Sequence, residues 1–335
     1  MQKKFSRKIH RRDLLKLAMA SAASSLFTAA PHAWAQSGLP PGPIRFIIPY
    51  SPGTGADTTA RSVGVALGEK LGRPVVVDNR PGASTMLGTE AVVRAPANGS
   101  TLLITTNTMV INRALYPKAN FDPLKDLTPI TLSGWTPMLL VASTQSGFKS
   151  TNDLLQVARK SPGRINYGSP GVGTLHHLAM EMLKIKTKTS IVHIPYSGSA
   201  PAVTGLLSGQ IDVMFLPVNS SLTHIKSGRI VPLAIGSDKR SPLLPDLRTL
   251  DEEGYKDMNV PAWFAIYGPP NMATELVASL NNDLREILAS DDTRQKFAAQ
   301  GIDPANSTAA ELKTLTEKDA IRWAEVIKQQ RITAE

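Results

Sequence analysis

The chain has 335 residues, room for two domains with substantial cores, and its 42% hydrophobic and 19% charged content is ordinary for a soluble globular protein. Its formal charge is +10, but Lys3, Lys4, Arg7, Lys8, Arg11, Arg12 and Lys16 against Asp13 concentrate +6 within residues 1–35, leaving a mild +4 elsewhere. No basic run is interleaved with aromatics, so nucleic acid is excluded as a partner; cysteine is absent, which excludes disulfides, thiolate metal sites, a cysteine nucleophile and cysteine lipidation.

The basic start is followed by an apolar stretch, Leu14 to Ala30, and then by Ala33-Trp34-Ala35, a small-x-small cleavage site. Residues 1–35 therefore read as a cleavable signal peptide, with Gln36 as the first mature residue. The run His10-Arg11-Arg12-Asp13-Leu14-Leu15-Lys16 resembles a twin-arginine export signal, with His10 and Leu14 in place of the usual Ser/Thr and Phe. An ordinary secretory signal with adjacent arginines is the alternative. Neither this stretch nor any later one carries the ~20 apolar residues of a membrane span. The mature protein is thus expected free in a periplasm-like compartment. Residues 36–43 read as a flexible, Pro- and Gly-rich leader.

From Ile44 short apolar runs alternate with helical patterns, the signature of an α/β fold with mostly parallel strands. The first unit reads as strand Arg45–Ile48, a glycine-rich turn, helix Asp57–Leu71, strand Val75–Asp78, turn Asn79–Ser84, helix Thr85–Arg94 and strand Leu102–Thr105. The second repeats that layout without repeating the residues: strand Arg164–Tyr167, turn Gly168–Thr174, helix Leu175–Ile185, strand Ile191–His193, turn Ile194–Ser199, helix Ala200–Leu207 and strand Ile211–Phe215. Between them Pro129–Ser143, broken by Gly134 and Pro137, reads as a strand leaving one domain for the next, and Val231–Ser237 as the returning strand. Trp263–Tyr267 and helices Thr274–Ala289 and Thr308–Ile327 follow, the last opening with a Thr308-x-x-Glu311 capping box. The simplest architecture is two α/β lobes joined by crossing strands, residues 44–137 plus 237–335 and residues 138–236, with a ligand cleft between them and closure hinged near Gly134 and Gly236.

Both strand-to-helix turns, Pro49–Thr54 and Gly168–Thr174, are expected to face that cleft with amides at a helix N-terminus, a setting that favours an anion. A nucleotide is disfavoured. Gly168 and Gly173 flank four residues as in a phosphate-binding loop, but Thr174 stands where the lysine belongs, and Gly53-Thr54-Gly55 is not followed by a third glycine at the right spacing. No G-x-S-x-G or H-E-x-x-H motif and no spaced acid pair marks a catalytic site. Adjacent His176 and His177 point in different directions on a helix, so no metal site is expected; one of them is expected to line the cleft or cap a turn. Trp135, Trp263 and Phe264 either wall a pocket or pack in the core. A carboxylate remains, read by backbone amides with Ser51, Thr54, Ser169, Thr174 and bound water, since neither loop holds Arg or Lys. Four or five charge-assisted contacts of about 1.5–3 kcal/mol each suffice for micromolar affinity after ordering costs.

The stretches PYSPGTGAD, LGRPVVVDNRPGAST, LGTEAVVRAPANGSTLLITT, PGRINYGSPGVGTLHHLAMEML, IVHIPYSGSAPAVTGLLSGQIDVMF, HIKSGRIVPLAIGSDKRSPLLPDL and AWFAIYGPP, in this order, resemble the Bug family, also called tripartite tricarboxylate transporter receptors. The resemblance covers about residues 43–328. It implies a periplasmic solute-binding protein, type II-like, with two hinged lobes, that binds small organic acids, aromatic acids or dicarboxylates among them, and passes them to integral-membrane transporter subunits. It implies no cofactor and no catalysis, and the chain is read as a monomer. Carried over by position, the ligand carboxylate lies between Tyr50, Ser51, Pro52, Gly53, Thr54, Gly55 and Asp57 on one side and Ser169, Gly171, Gly173 and Thr174 on the other. Thr106, Asn107, Tyr196 and Ser197 complete the walls, and Asp57 is alternatively a helix cap. Two departures stand out. Leu216-Pro217 replaces the Asp-Asn that many members carry, with Asn219 a few places on, and Trp135 is bulkier than expected. Both favour a plain or aromatic carboxylate over an amino acid. Rival readings are a sensory subunit presenting the same acid to a signalling partner, and an exported enzyme.

Overall fold

The structure is a computed structural model that describes residues 39–333. The signal-peptide reading of residues 1–35 and the first part of the leader lie outside the described residues. Strands are β1 (Ile44–Ile48), β2 (Val75–Asn79), β3 (Thr101–Thr106), β4 (Thr128–Thr136), β5 (Met138–Ser143), β6 (Asn166–Ser169), β7 (Val192–Pro195), β8 (Val213–Pro217), β9 (Ile230–Gly236), β10 (Ala262–Gly268) and the short β11 (Asp303–Pro304). Helices are α1 (Gly55–Leu71), α2 (Met86–Val93), α3 (Thr108–Leu115), α4 (Thr151–Lys160), α5 (Leu175–Thr187), α6 (Ser199–Leu207), α7 (Val218–Lys226), α8 (Thr274–Ala289), α9 (Asp291–Ala299) and α10 (Ala309–Gln330).

Two sheets form, in the orders β11-β4-β10-β3-β1-β2 and β7-β6-β8-β5-β9. Each has the same plan. In the first, β1 lies parallel between β2 and β3; in the second, β6 lies parallel between β7 and β8. The repeated layout read from the sequence is thus a repeated sheet topology. The remaining strands correct the expectation of mostly parallel sheets. β10 pairs antiparallel with β3, and β5 pairs antiparallel with β8. The cause is the crossing itself: a strand that arrives from the other sheet enters from the opposite end, so it runs against its neighbours. β4 and β5 are separated only by Pro137, where the chain changes sheets, and β9 leads back to β10 through residues 237–261.

Because β1 is central and covered on both faces, Ile44, Phe46, Ile47 and Ile48 are all buried, which is why it reads as a continuous apolar run. α10 opens with the expected Thr308/Glu311 capping box and buries Leu312, Trp323 and Ile327. It packs on α3 and β4 of the first sheet's side and also on α5 of the second. Four helices, α3, α4, α7 and α9, were not legible in advance. β6 starts two residues later than expected, at Asn166, because it pairs with β7 in that register. Gly134 allows a close approach: a Cβ there would stand 2.8 Å from Ile302 and 3.1 Å from the Asp303 carbonyl oxygen, where β11 presses on β4. Among the described residues no helix is long and apolar enough to cross a membrane.

Candidate ligand site

The turn after β1 is fixed from below. The Asp57 carboxylate, buried in the first turn of α1, accepts from the Gly53 amide at 2.9 Å, from Asn79 Nδ2 at 3.0 Å and from Arg61 Nε and Nη2 at 3.1 and 2.9 Å. Burial alone would raise its pKa; the hydrogen bonds from Arg61, Gly53 and Asn79 overcome that and hold it below the usual carboxylate range. Thr54 Oγ1 donates to the Ser51 carbonyl at 3.0 Å and closes the turn on itself. Tyr50 stands at its base, its phenol 2.7 Å from Thr106 Oγ1.

The turn after β6 is held from behind by a stack of rings. His177 and His193 lie face to face with centroids 4.2 Å apart, and Tyr167 stacks on His193 at 4.7 Å. The Gly173 amide donates to His177 Nδ1 at 3.2 Å, and Ser169 Oγ sits 2.7 Å from His193 Nε2. Tyr167 in turn donates to Glu181, which also pairs with Lys184 at 2.6 Å. Burial lowers His177 to about 4, with a further push from Lys184. His193 falls to about 3, through burial first and then the neighbouring His177. Both imidazoles are neutral near pH 7, which lets His177 Nδ1 accept the Gly173 proton.

Two hollows adjoin these turns. The inner one, about 330 Å³, is walled by Gly53, Thr54, Gly55 and Ala56, by Leu175 and His176, by Ser199, Ala200, Val203, Thr204 and Leu207, and by Met138, Leu216, Pro217 and Phe264, among others. The outer one, about 230 Å³, lies among Ser51, Ser84, Gly171, Thr174, Tyr196, Ser197, Gly198 and Ser199. Tyr50 and Ser199 belong to both, so they mark the junction. Among the described residues no Asp, Glu, Lys or Arg lines either hollow; the titratable groups of the inner one are Tyr50, His176 and His224, and burial lowers His176 to about 4. What the hollows do contain is helix N-termini. The first turns of α1, α5 and α6 open onto them through Gly55 and Ala56, Leu175 and His176, and Ser199 and Ala200. The amides of a first turn have no acceptor within their own helix and carry the positive end of its dipole. The hydroxyls of Ser51, Ser197 and Ser199 make no hydrogen bond within the described residues, and His176 Nδ1 is buried without a partner. Such a site is electropositive without a formal charge, and it suits an anion.

Of the residues singled out in the sequence, Tyr50, Pro52, Gly53, Thr54, Gly55 and Thr106 line the inner hollow. Tyr50, Ser51, Gly171, Thr174, Tyr196 and Ser197 line the outer. The other four lie one layer back. Asp57 braces the turn from inside α1, accepting from Gly53, Asn79 and Arg61, and does not cap the helix. Asn107 donates to the Pro261 carbonyl at 3.1 Å, Ser169 bonds His193, and Gly173 bonds His177. His176 lines the cleft and His177 caps a turn. Phe264 walls the inner hollow, while Trp263 is core, its indole donating to Asp319 at 2.8 Å. Trp135 lines a separate hollow with Pro137 and Asn259.

Sequence reading missed Ser84. Ala83, Ser84 and Thr85 all have positive φ (44°, 50° and 82°), a left-handed turn that no propensity would suggest. It carries Ser84 Oγ to the Val172 carbonyl at 2.7 Å, joining the first sheet's side to the turn of the second. The apolar walls Val203 and Leu207 were also missed, since helical spacing alone reads them as core, whereas Leu216, noted in the sequence as a departure from Asp-Asn, lines the inner hollow.

The residues 59–332 match the family model described as the tripartite tricarboxylate transporter family receptor. Protein BugT of Bordetella pertussis is 33% identical over 292 residues, 87% of this chain and 90% of that protein. Among solved structures, a Rhodopseudomonas palustris protein with adipate superposes with a TM-score of 0.85 at 31% identity, covering 88% of this chain and 99% of the other. MatC from the same organism, with bound malate, gives 0.80 at 26% identity, covering 86% and 100%. The periplasmic binding protein BugD gives 0.83 at 29%, covering 88% and 99%. With a two-lobed sheet plan, an uncharged cleft ringed by helix N-termini and a match over most of its length, the chain belongs to the tripartite tricarboxylate transporter receptor family.

Proposed function

We propose that this chain is a periplasmic solute-binding protein that closes its two lobes on the carboxylate of a small organic acid and delivers it to integral-membrane subunits of a tripartite tricarboxylate-type transporter. The observation that carries the reading is the junction at Tyr50 and Ser199, where the inner hollow, lined by the first turns of α1, α5 and α6, meets the outer one, lined by Ser51, Ser197 and Ser199, with no charged side chain among the described lining residues. Each charge-assisted hydrogen bond there contributes about 1.5–3 kcal/mol, and a dipole end about 0.3–1 kcal/mol more. A cation would find no carboxylate to meet it. The adipate and malate held by structural neighbours support the same chemistry here.

The lobes in this reading are residues 44–137 plus 237–335 and residues 138–236, hinged where β4 passes into β5 and where β9 ends. The chain acts by binding and carries out no reaction. Export by residues 1–35 places it where a transporter could receive the ligand.

The test is a thermal-shift titration of the purified protein with carboxylic acids and their uncharged amides. A ligand that binds only the folded state raises Tm by mass action. Acids are expected to raise Tm and amides to leave it unchanged. Equal shifts with both, or shifts with nucleotides or sugars alone, would refute the carboxylate reading.

A further inference from the structure

The inner hollow has a direction and a chemistry. α6 begins at Ser199, at the junction, and lines the hollow with Ala200, Val203, Thr204 and Leu207. These are the i, i+3, i+4 and i+7 positions of one helix face. From Ser199 to Leu207 the axis advances about 12 Å, at about 1.5 Å per residue. The hollow therefore runs from the positive end of the α6 dipole towards its negative end, with Ala200, Val203 and Leu207 as its aliphatic wall and hydroxyls of Thr204 and Ser220 beside them. Met138, Leu216 and Phe264 face it from β5, β8 and β10.

We infer that the ligand carries a single carboxylate, seated at the Ser199 end, and an uncharged, mainly apolar body of ring size that lies along Ala200, Val203 and Leu207 against Met138, Leu216 and Phe264. The inference rests on the carboxylate-binding reading and narrows it to apolar monocarboxylates. A hollow of about 330 Å³ is roomy enough, since an apolar cavity of about 150 Å³ already takes a benzene ring. Apolar walls favour an apolar body in proportion to the area removed from water. A second carboxylate carried along α6 would meet no Lys or Arg among the described lining residues to replace the water it gives up. The two histidines do not supply that charge: burial lowers the pKa of both His176 and His224, and Arg229 lowers His224 further.

Isothermal titration calorimetry of the purified protein with 3-phenylpropionate, cyclohexanecarboxylate, adipate and 3-phenylpropanamide tests this. Both apolar monoacids are expected to bind at least tenfold tighter than adipate and than the amide. Adipate binding as tightly as either monoacid, or no binding by the monoacids at millimolar concentration, overturns the inference. With adipate bound the carboxylate reading stands. The amide binding as tightly as its acid overturns the carboxylate reading itself. Leu207→Arg places a guanidinium at the far end of the hollow and is expected to narrow the monoacid-to-adipate ratio at least tenfold. An unchanged ratio in a variant whose Tm matches the parent overturns the placement of the body along α6.

Discussion

The backbone amide of Gly53 is held by the carboxylate of Asp57, four residues on, at 2.9 Å. The conspicuous Gly53-Thr54-Gly55 turn thus spends one of its amides on its own brace, while Gly55 and Ala56 of the first turn of α1 line the inner hollow. Asp57→Ala removes an acceptor that serves Gly53, Asn79 and Arg61 together. Loss of that buried network is expected to lower stability by about 2–3 kcal/mol and to weaken acid binding, because the turn is no longer fixed. Chemical denaturation and calorimetry on the same preparation check both. Since the Asp57 pKa lies below its ordinary value, this contribution is full above about pH 4 and is lost as pH falls through the lower, folded-state pKa.

Ser84 is the polar link from the first lobe to the ligand turn of the second, through the Val172 carbonyl at 2.7 Å. In the proposed hinged reading this bond forms only when the lobes meet, so it favours the closed state. Ser84→Ala is expected to weaken ligand binding by about fivefold, the equivalent of a hydrogen bond of about 1 kcal/mol. Tm without ligand should move little. Titration of parent and variant with the same acid provides the comparison, and a loss of Tm larger than the loss of affinity would assign Ser84 to folding instead of closure.

Most of the frame was legible because its signals are local. The buried run Ile44–Ile48, the Thr308-x-x-Glu311 box and the break at Pro137 each follow from chemistry within a few residues. The reversal of β5 and β10 was not legible, because strand direction here is set by which sheet the chain leaves. α3 went unseen because Val110 and Ile111 with Thr108 look like a strand; their helix is selected by burial against α10. In the site, the glycines marked the turns but not which amides stay available. Gly53 and Gly173 look alike in sequence to Gly55, yet their amides are taken by Asp57 and His177. That distinction depends on side chains reaching back from the helices.

The imidazoles of His177 and His193 make stability depend on pH. Their folded pKa values, about 4 and about 3, lie below the ordinary 6.5. A depressed histidine pKa means that the unfolded chain takes up the proton first. Stability is therefore full above about pH 6.5 and declines as pH falls towards the folded values. For His177 alone the loss between pH 7 and pH 5 is about 2 kcal/mol. Urea unfolding at the two pH values should show it, and His177→Phe should remove part of the slope. A flat profile between pH 7 and pH 5 would mean that the ring stack is open to water.

Gly173 carries a different constraint, and it joins folding to closure. Its φ is 79°, which L side chains rarely adopt, and a Cβ there would run into Leu115 Cδ1 and stand 3.0 Å from Asn112 Oδ1. Leu115 and Asn112 belong to α3, so in the proposed division into lobes the clash lies across the interface between them. Gly173→Ala therefore has two separable costs. The strained φ, about 1 kcal/mol or more, acts in open and closed states alike and lowers Tm. The clash, about 1–3 kcal/mol for an extra methyl in a packed site, acts only when the lobes meet and lowers affinity. Calorimetry should thus show acid binding weaker by about fivefold or more. Leu115→Ala, which opens the space the methyl needs, should restore part of that affinity without restoring Tm. If Leu115→Ala in the Gly173→Ala background restores neither, the methyl is not meeting α3, and the affinity loss comes from the turn alone.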